Sequence, residues 1–125
     1  TSTGAARAIG LVMPELKGKL DGYAMRVPTP DVSAVDLSVE LKTKTDDAGI
    51  NAAVTEAAAG PLKGILEYCD EPLVSVDFTG NPHSSIFDAK STKVMGGTFA
   101  KVLAWYDNEM GYASRCADLV LRMGR

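Results

Sequence analysis

Val35, Leu37, Val39 and Leu41 alternate with Asp36, Ser38, Glu40 and Lys42, and this run limits the possible folds more than any other stretch of the chain. Successive side chains of a strand point to opposite faces, so strict alternation implies one buried face and one face left to water or to a partner. The chain therefore needs a sheet with a covered side and an open side. The signals around the run supply the rest of that sheet and the helices that cover it.

Residues 4–16 read as a first helix, with Ile9, Val12, Met13 and Leu16 on one side and Pro14 set to kink it or end it early. Gly18 and Gly22 make a turn into an expected strand at Tyr23 to Val27, and Pro28-Thr29-Pro30 should form a bend or an edge. After the alternating run, Thr45, Asp46 and Asp47 are capping candidates for an alanine-rich helix that stops at Gly60-Pro61. Ile65 to Tyr68 and Leu73 to Phe78 read as two strands separated by an Asp70-Glu71-Pro72 turn, with a third short strand at Ser85 to Phe87. Gly96-Gly97, between Val94-Met95 and Thr98-Phe99, looks like a tight hairpin turn. Strands joined mostly by turns, with helices interspersed, imply an α+β fold: an antiparallel-rich mixed sheet with helices on one face.

Trp105-Tyr106-Asp107-Asn108-Glu109-Met110-Gly111-Tyr112 marks the passage from an apolar strand beginning at Phe99 into a closing helix on which Tyr112, Cys116, Leu119, Val120 and Met123 recur at helical spacing. Asp107 or Asn108 can cap that helix, and Glu109 suits the positive end of its dipole. Capping alone would account for all three polar residues. The end of a strand feeding a helix start is also where enzymes of mixed fold present polar groups to ligands.

At 125 residues the chain is long enough for one domain, and its 46% hydrophobic and 23% charged content is that of a globular protein. The formal net charge of -3 argues against nonspecific binding to nucleic acid or to an anionic membrane. Two cysteines at non-motif spacing give neither a disulfide framework nor a metal site, which fits a reducing cytoplasm. The sequence shows no targeting peptide, transmembrane run, low-complexity segment or internal repeat.

Several stretches, in order and in register, resemble the phosphorylating glyceraldehyde-3-phosphate dehydrogenase family. They are Thr1-Ser2-Thr3-Gly4-Ala5-Ala6, Pro14-Glu15-Leu16-Lys17-Gly18-Lys19-Leu20, Met25-Arg26-Val27-Pro28-Thr29-Pro30 followed by Val35-Asp36-Leu37, Gly60-Pro61-Leu62-Lys63-Gly64-Ile65-Leu66, Ser84-Ser85-Ile86-Phe87-Asp88, and the stretch Trp105 to Tyr112. The resemblance covers essentially the whole chain. It implies the fold of that family's C-terminal domain. The chain holds no Gly-x-Gly-x-x-Gly turn and no Ser-Cys-Thr-Thr-Asn nucleophile segment. Residues 1–125 are therefore expected to be a partial catalytic domain with the C-terminal helix and without the NAD-binding domain, and the isolated chain is expected to be inactive.

The resemblance implies a role for five positions. Thr3 and Gly4 stand where unpaired backbone N–H groups open a helix, a setting that attracts phosphate; an ordinary Thr cap is the plain alternative, and the family uses these residues to bind phosphate. Arg26, between Met25 and Val27, reads as a buried guanidinium in need of a partner, either a carboxylate or a phosphate. In the family it is a substrate-phosphate ligand. Asn108 can donate and accept, as reading a nicotinamide carboxamide requires; the family gives it that task and sets Tyr112 beside the ring. Glu109 would orient Asn108 or balance the helix terminus, while Trp105 and Tyr106 read as packing. Cys69, Cys116 and His83 lack the family's nucleophile context, so no catalytic residue is assigned, and Asp46-Asp47 and Asp70-Glu71 read as solvated caps and turns rather than a metal site. The parent enzyme would oxidise glyceraldehyde 3-phosphate with NAD or NADP and inorganic phosphate, as a homotetramer in the cytoplasm. An erythrose-4-phosphate dehydrogenase fragment is the related alternative, against which Tyr106 speaks, and a non-catalytic oligomerisation module is the alternative of another class. NAD-versus-NADP preference would be set by residues of the absent domain.

Overall fold

The computed structural model describes residues 4–124, without the side chains of residues 6 and 7. The chain forms two units, Thr1–Pro30 and Asp31–Arg125.

In the first unit, helix α1 spans Ala5–Val12 behind Gly4, its N-cap residue. Pro14 ends it as expected: a residue before proline is pushed out of the helical region, and Met13 sits at φ -129, ψ 80. A 3-10 turn, Pro14–Leu16, takes over, closed by Lys17 N–H donating to the Pro14 carbonyl at 3.1 Å. The strand expected at Tyr23 to Val27 does not form, and this segment is irregular. A strand exists only through its ladder, and every paired strand among the described residues lies within 33–106. Pro28-Thr29-Pro30 is a bend, opened by Thr29 N–H donating to the Val27 carbonyl at 2.8 Å.

The second unit is a four-stranded sheet in the order β1-β4-β3-β2, with β1 Ser33–Glu40, β2 Leu66–Cys69, β3 Ser85–Met95 and β4 Phe99–Tyr106. β1 pairs antiparallel with β4, β4 antiparallel with β3, and β2 parallel with β3. The alternating run is thus an edge strand, with Leu37 and Val39 half-buried and Asp36, Ser38 and Glu40 exposed. Val35 departs from the pattern at 51% exposure. On the exposed face Lys101 of β4 binds the carboxylate of Asp36, with one contact of 2.6 Å.

Helix α2 spans Asp47–Ala59 and packs across β2 and β3. Asp46 caps it by accepting the Gly49 N–H at 2.8 Å, and Asp47 ties its first turn to the sheet by accepting Val94 N–H at 2.7 Å and Lys93 Nζ at 3.2 Å. The hydrogen bond from Lys93 and that from Val94 hold the Asp47 carboxyl below the usual carboxylate range.

Two sequence expectations change here. Leu73 to Phe78 is not a strand; Ser75–Phe78 is a 3-10 turn. The Asp77 carboxylate accepts the Val74 N–H at 2.9 Å and closes the turn, which carries Phe78 into the core while Val74 and Val76 stay exposed. The short strand at Ser85 and the Val94-Met95 segment join into one long β3 with an irregularity between Asp88 and Lys93. There Asp88 accepts the backbone N–H groups of Lys90 and Ser91 and the Ser91 hydroxyl, absorbing the residues that break the ladder. The hairpin to β4 turns at Gly96 and Gly97, both at positive φ (61 and 82).

Val32, Cys69, Phe78 and Ile86 form the core cluster, with Leu73 and Trp105 packed on it and the Phe78 and Trp105 rings stacked at 5.9 Å. Helix α3, Met110–Met123, follows β4. Its apolar stripe is present but uncovered: Tyr112, Leu119, Val120 and Met123 are all exposed, and Cys116 with them.

Candidate functional site

The passage from β4 to α3 is organised by Asp107. A carboxylate at the end of a strand can accept the N–H groups that a helix start leaves unpaired, and Asp107 Oδ1 accepts those of Glu109 at 2.9 Å and Met110 at 2.8 Å. Its Oδ2 accepts the Gly80 N–H at 2.8 Å, which fastens the loop before β3 to the same point. Asp107 is buried. The backbone hydrogen bonds from Met110, Gly80 and Glu109, with a smaller contribution from Asp31, hold its pKa down to about 2. Glu109 stands at the helix N-cap without a side-chain capping bond.

With the backbone fixed on both sides of it, Asn108 presents an exposed carboxamide, and Ser33 Oγ donates to its Oδ1 at 2.6 Å. At the second residue of α3, Gly111 is buried against the loop before β3. A Cβ there would stand 2.9 Å from the His83 carbonyl oxygen and 3.3 Å from Ser84 Cα. This close approach explains why the stretch carries glycine where a helix would prefer alanine. Tyr112 follows with its ring 76% exposed. Arg115, one turn beyond Gly111, donates from Nη1 to Ser84 Oγ at 3.0 Å and from Nε to Asp118 at 2.8 Å. Ser84, Tyr106, Asp107, Asn108, Gly111, Tyr112 and Arg115 together line a shallow depression of about 260 Å³.

Asn108 and Tyr112 thus share one depression. Gly4 lies in the first unit as the N-cap residue of α1, exposed, with open space where a Cβ would be. Thr3 lies outside the described residues. Arg26 also belongs to the first unit, and it is exposed in the irregular segment. The expectation of a buried guanidinium in a strand is corrected on both counts, because no ladder forms there to bury it. Cys69 is buried and Cys116 exposed; the His83 Nδ1 lies 2.8 Å from Glu67 Oε2 and 2.8 Å from Asn81 Oδ1. Among the described residues, no group of three metal-ligating side chains occurs, and no helix is long and apolar enough to cross a membrane.

Ser33, Ser84 and Arg115 were not singled out by sequence. Arg115 could have been, since it follows Tyr112 at helical spacing; the two serines are brought in by strand pairing and by the loop, which leave no local signal.

Comparison with known proteins decides the family. The model of the glyceraldehyde 3-phosphate dehydrogenase C-terminal domain matches residues 1–108. The chain belongs to this family. It is 60% identical over 125 residues to the glyceraldehyde-3-phosphate dehydrogenase of Mycolicibacterium smegmatis, covering 100% of this chain and 36% of that protein. The corresponding enzyme of Cereibacter sphaeroides is 56% identical over 125 residues, 100% of this chain and 38% of that one. Glyceraldehyde-3-phosphate dehydrogenase 1 of Bacillus subtilis is 61% identical over 119 residues, 95% of this chain and 36% of that one. The chain therefore spans little more than a third of the length of these relatives. The four-stranded mixed sheet with its helices is the α+β architecture expected of a glyceraldehyde-3-phosphate dehydrogenase C-terminal domain.

Proposed function

We propose that this chain supplies the phosphate-binding and nicotinamide-positioning part of a phosphorylating glyceraldehyde-3-phosphate dehydrogenase, acting on glyceraldehyde 3-phosphate and inorganic phosphate with NAD or NADP. The observation that carries the reading is the depression that Asn108 and Tyr112 both line, in a chain of this family. The donor set fits a nicotinamide: a carboxamide matches the ligand's own amide in both directions, and an exposed ring offers a flat apolar surface. When bound, the nicotinamide accepts hydride. Asn108 and Tyr112 hold its amide and its ring so that one face is presented. Asp107 keeps the backbone under Asn108 rigid, and Gly111 lets α3 start against the His83–Ser84 backbone.

Thr3 and Gly4, with Arg26, are the proposed phosphate grip. Gly4 is the N-cap residue of the eight-residue α1 and receives no side-chain cap there, and the positive end of a helix dipole favours an anion. Arg26 adds a planar fork that meets phosphate oxygens at two points. Such residues hold reactants in register and carry out no bond change themselves.

The uncovered apolar stripe of α3 supports the reading that further polypeptide packs on this unit, and the exposed Asp36, Ser38 and Glu40 face of the sheet offers a surface for subunit contact in a homotetramer. The full-length enzyme would work in the cytoplasm. The test compares the purified chain with the full-length enzyme for NADH formation from glyceraldehyde 3-phosphate, phosphate and NAD. Turnover by the full-length enzyme and none by the chain is expected. NADH formed by the chain alone, free of longer contaminants, would overturn the division of labour.

A further inference from the structure

One residue that bonds to the site comes from a distant part of the sequence, carried there by strand pairing. Ser33 opens β1 opposite Tyr106, the last residue of β4, and Asn108 follows two positions later in the turn toward α3. Its hydroxyl donates to Asn108 Oδ1 at 2.6 Å, bridging positions 75 residues apart in sequence. We propose that Ser33 is a positioning residue for the cofactor, fixing the plane of the Asn108 carboxamide at the rim of the depression. The inference rests on the nicotinamide reading of Asn108 given above.

The geometry argues for it in two steps. Asp107 clamps the chain on both sides of Asn108 through Gly80, Glu109 and Met110, which settles the backbone but leaves the side-chain torsions to rotate. An exposed carboxamide with no side-chain partner samples several orientations, and a ligand would then have to immobilise it on binding. The Ser33 hydroxyl removes that freedom beforehand. Oδ1 keeps a second lone pair and Nδ2 its two hydrogens, so the amide of a ligand can still meet both ends.

The second step concerns how Ser33 is aimed. The residue before it, Val32, has φ 63, the left-handed region that β-branched residues rarely enter. Val32 is only 6% exposed, locked among Cys69, Phe78 and Ile86, and its N–H donates to Asp31 Oδ1 at 2.7 Å. Strained backbone of this kind persists where the surrounding packing imposes it, and it gathers at ligand sites. Here it turns the chain sharply into β1, so that the first residue of the strand faces the end of β4.

The test uses the full-length enzyme carrying Ser33→Ala, Ser33→Thr, Asn108→Ala and the double change Ser33→Ala with Asn108→Ala. Ser33→Ala should raise KM for NAD about fivefold, the factor given by losing one hydrogen bond of ~1 kcal/mol, with KM for glyceraldehyde 3-phosphate unchanged. Ser33→Thr, which keeps the hydroxyl on a strand, should restore KM for NAD to within about twofold of the original. In the Asn108→Ala background, Ser33→Ala should add nothing, because the two residues act through one bond. An unchanged KM for NAD in Ser33→Ala, beside a raised one in Asn108→Ala, overturns the role of Ser33 and leaves the nicotinamide reading standing. So does a Thr variant that behaves like the Ala variant, or equal effects of Ser33→Ala in both backgrounds. An Asn108→Ala enzyme with normal KM for NAD overturns the nicotinamide reading and this inference together.

Discussion

Gly111→Ala should loosen the join between α3 and the sheet, although alanine is the better helix former. The new Cβ would stand 2.9 Å from the His83 carbonyl oxygen and 3.3 Å from Ser84 Cα, about half an ångström short of ordinary contact with the first. Both obstacles are backbone atoms, which cannot rotate aside. Overpacking of this kind costs about 1–3 kcal/mol, against a gain of up to ~1 kcal/mol in helix propensity. The balance is a loss of about 1 kcal/mol, or roughly 4–8 °C in Tm for a domain of this size. Gly49→Ala is the control. There the nearest obstacle is the Thr45 hydroxyl, the end of a side chain that can turn away, and the Gly49 N–H bond to Asp46 is kept. That change should be neutral or stabilising by up to ~1 kcal/mol. The assay is urea unfolding followed by the fluorescence of Trp105, the chain's single tryptophan, which stacks on Phe78 in the core. A Gly111→Ala chain as stable as the original, with Gly49→Ala destabilised, would refute the reasoning that fixed backbone contacts set the outcome.

Three further outcomes are expected. Asp107 has its pKa lowered from 3.8 to about 2 by backbone hydrogen bonds, so its contribution is fully present above about pH 4 and is lost as pH falls toward 2. Urea midpoints measured across that window should fall more steeply for the original chain than for Asp107→Asn; parallel slopes would contradict the clamp. Asp47 is lowered chiefly by its hydrogen bond from Lys93, so Lys93→Met should lower the urea midpoint at neutral pH and flatten its fall as pH drops below about 4, and an unchanged profile would show the pair to be idle. Ile86→Ala removes a side chain of 0% exposure at the centre of the core cluster and should cost about 2–5 kcal/mol, read by the same urea titration; a loss below 1 kcal/mol would mean the core lies elsewhere.

The sequence showed what local chemistry decides. Pro14 ended α1, Asp46 capped α2, Gly96 and Gly97 turned the hairpin, and the stretch from Trp105 to Tyr112 joined a strand to a helix, each for the reason its residue type supplies. Alternation at Val35 to Lys42 marked a strand with one covered and one open face, but could not show that it lies at the sheet edge or that Val35 itself lies open. Failures came where pairing or a single side chain overrode pattern. Tyr23 to Val27 looks like a strand and has no ladder, and Asp77 converts Leu73 to Phe78 from strand to turn. Asn108 and Tyr112 were read together because they share one motif, and they line one depression; Arg26 was read as buried in a strand and is exposed in an irregular segment. Ser33 was invisible, since only the pairing of β1 with β4 carries it to Asn108.

The central claim is that Arg26 serves phosphate while Asn108 serves the nicotinamide. Steady-state kinetics of the full-length enzyme with Arg26→Ala and with Asn108→Ala test it most directly. Arg26→Ala should raise KM for glyceraldehyde 3-phosphate or for inorganic phosphate at least tenfold with KM for NAD unchanged, as loss of a charge-assisted contact requires, and Asn108→Ala should do the reverse. Equal rises in every KM for both variants, or a rise in KM for NAD from Arg26→Ala alone, would contradict it.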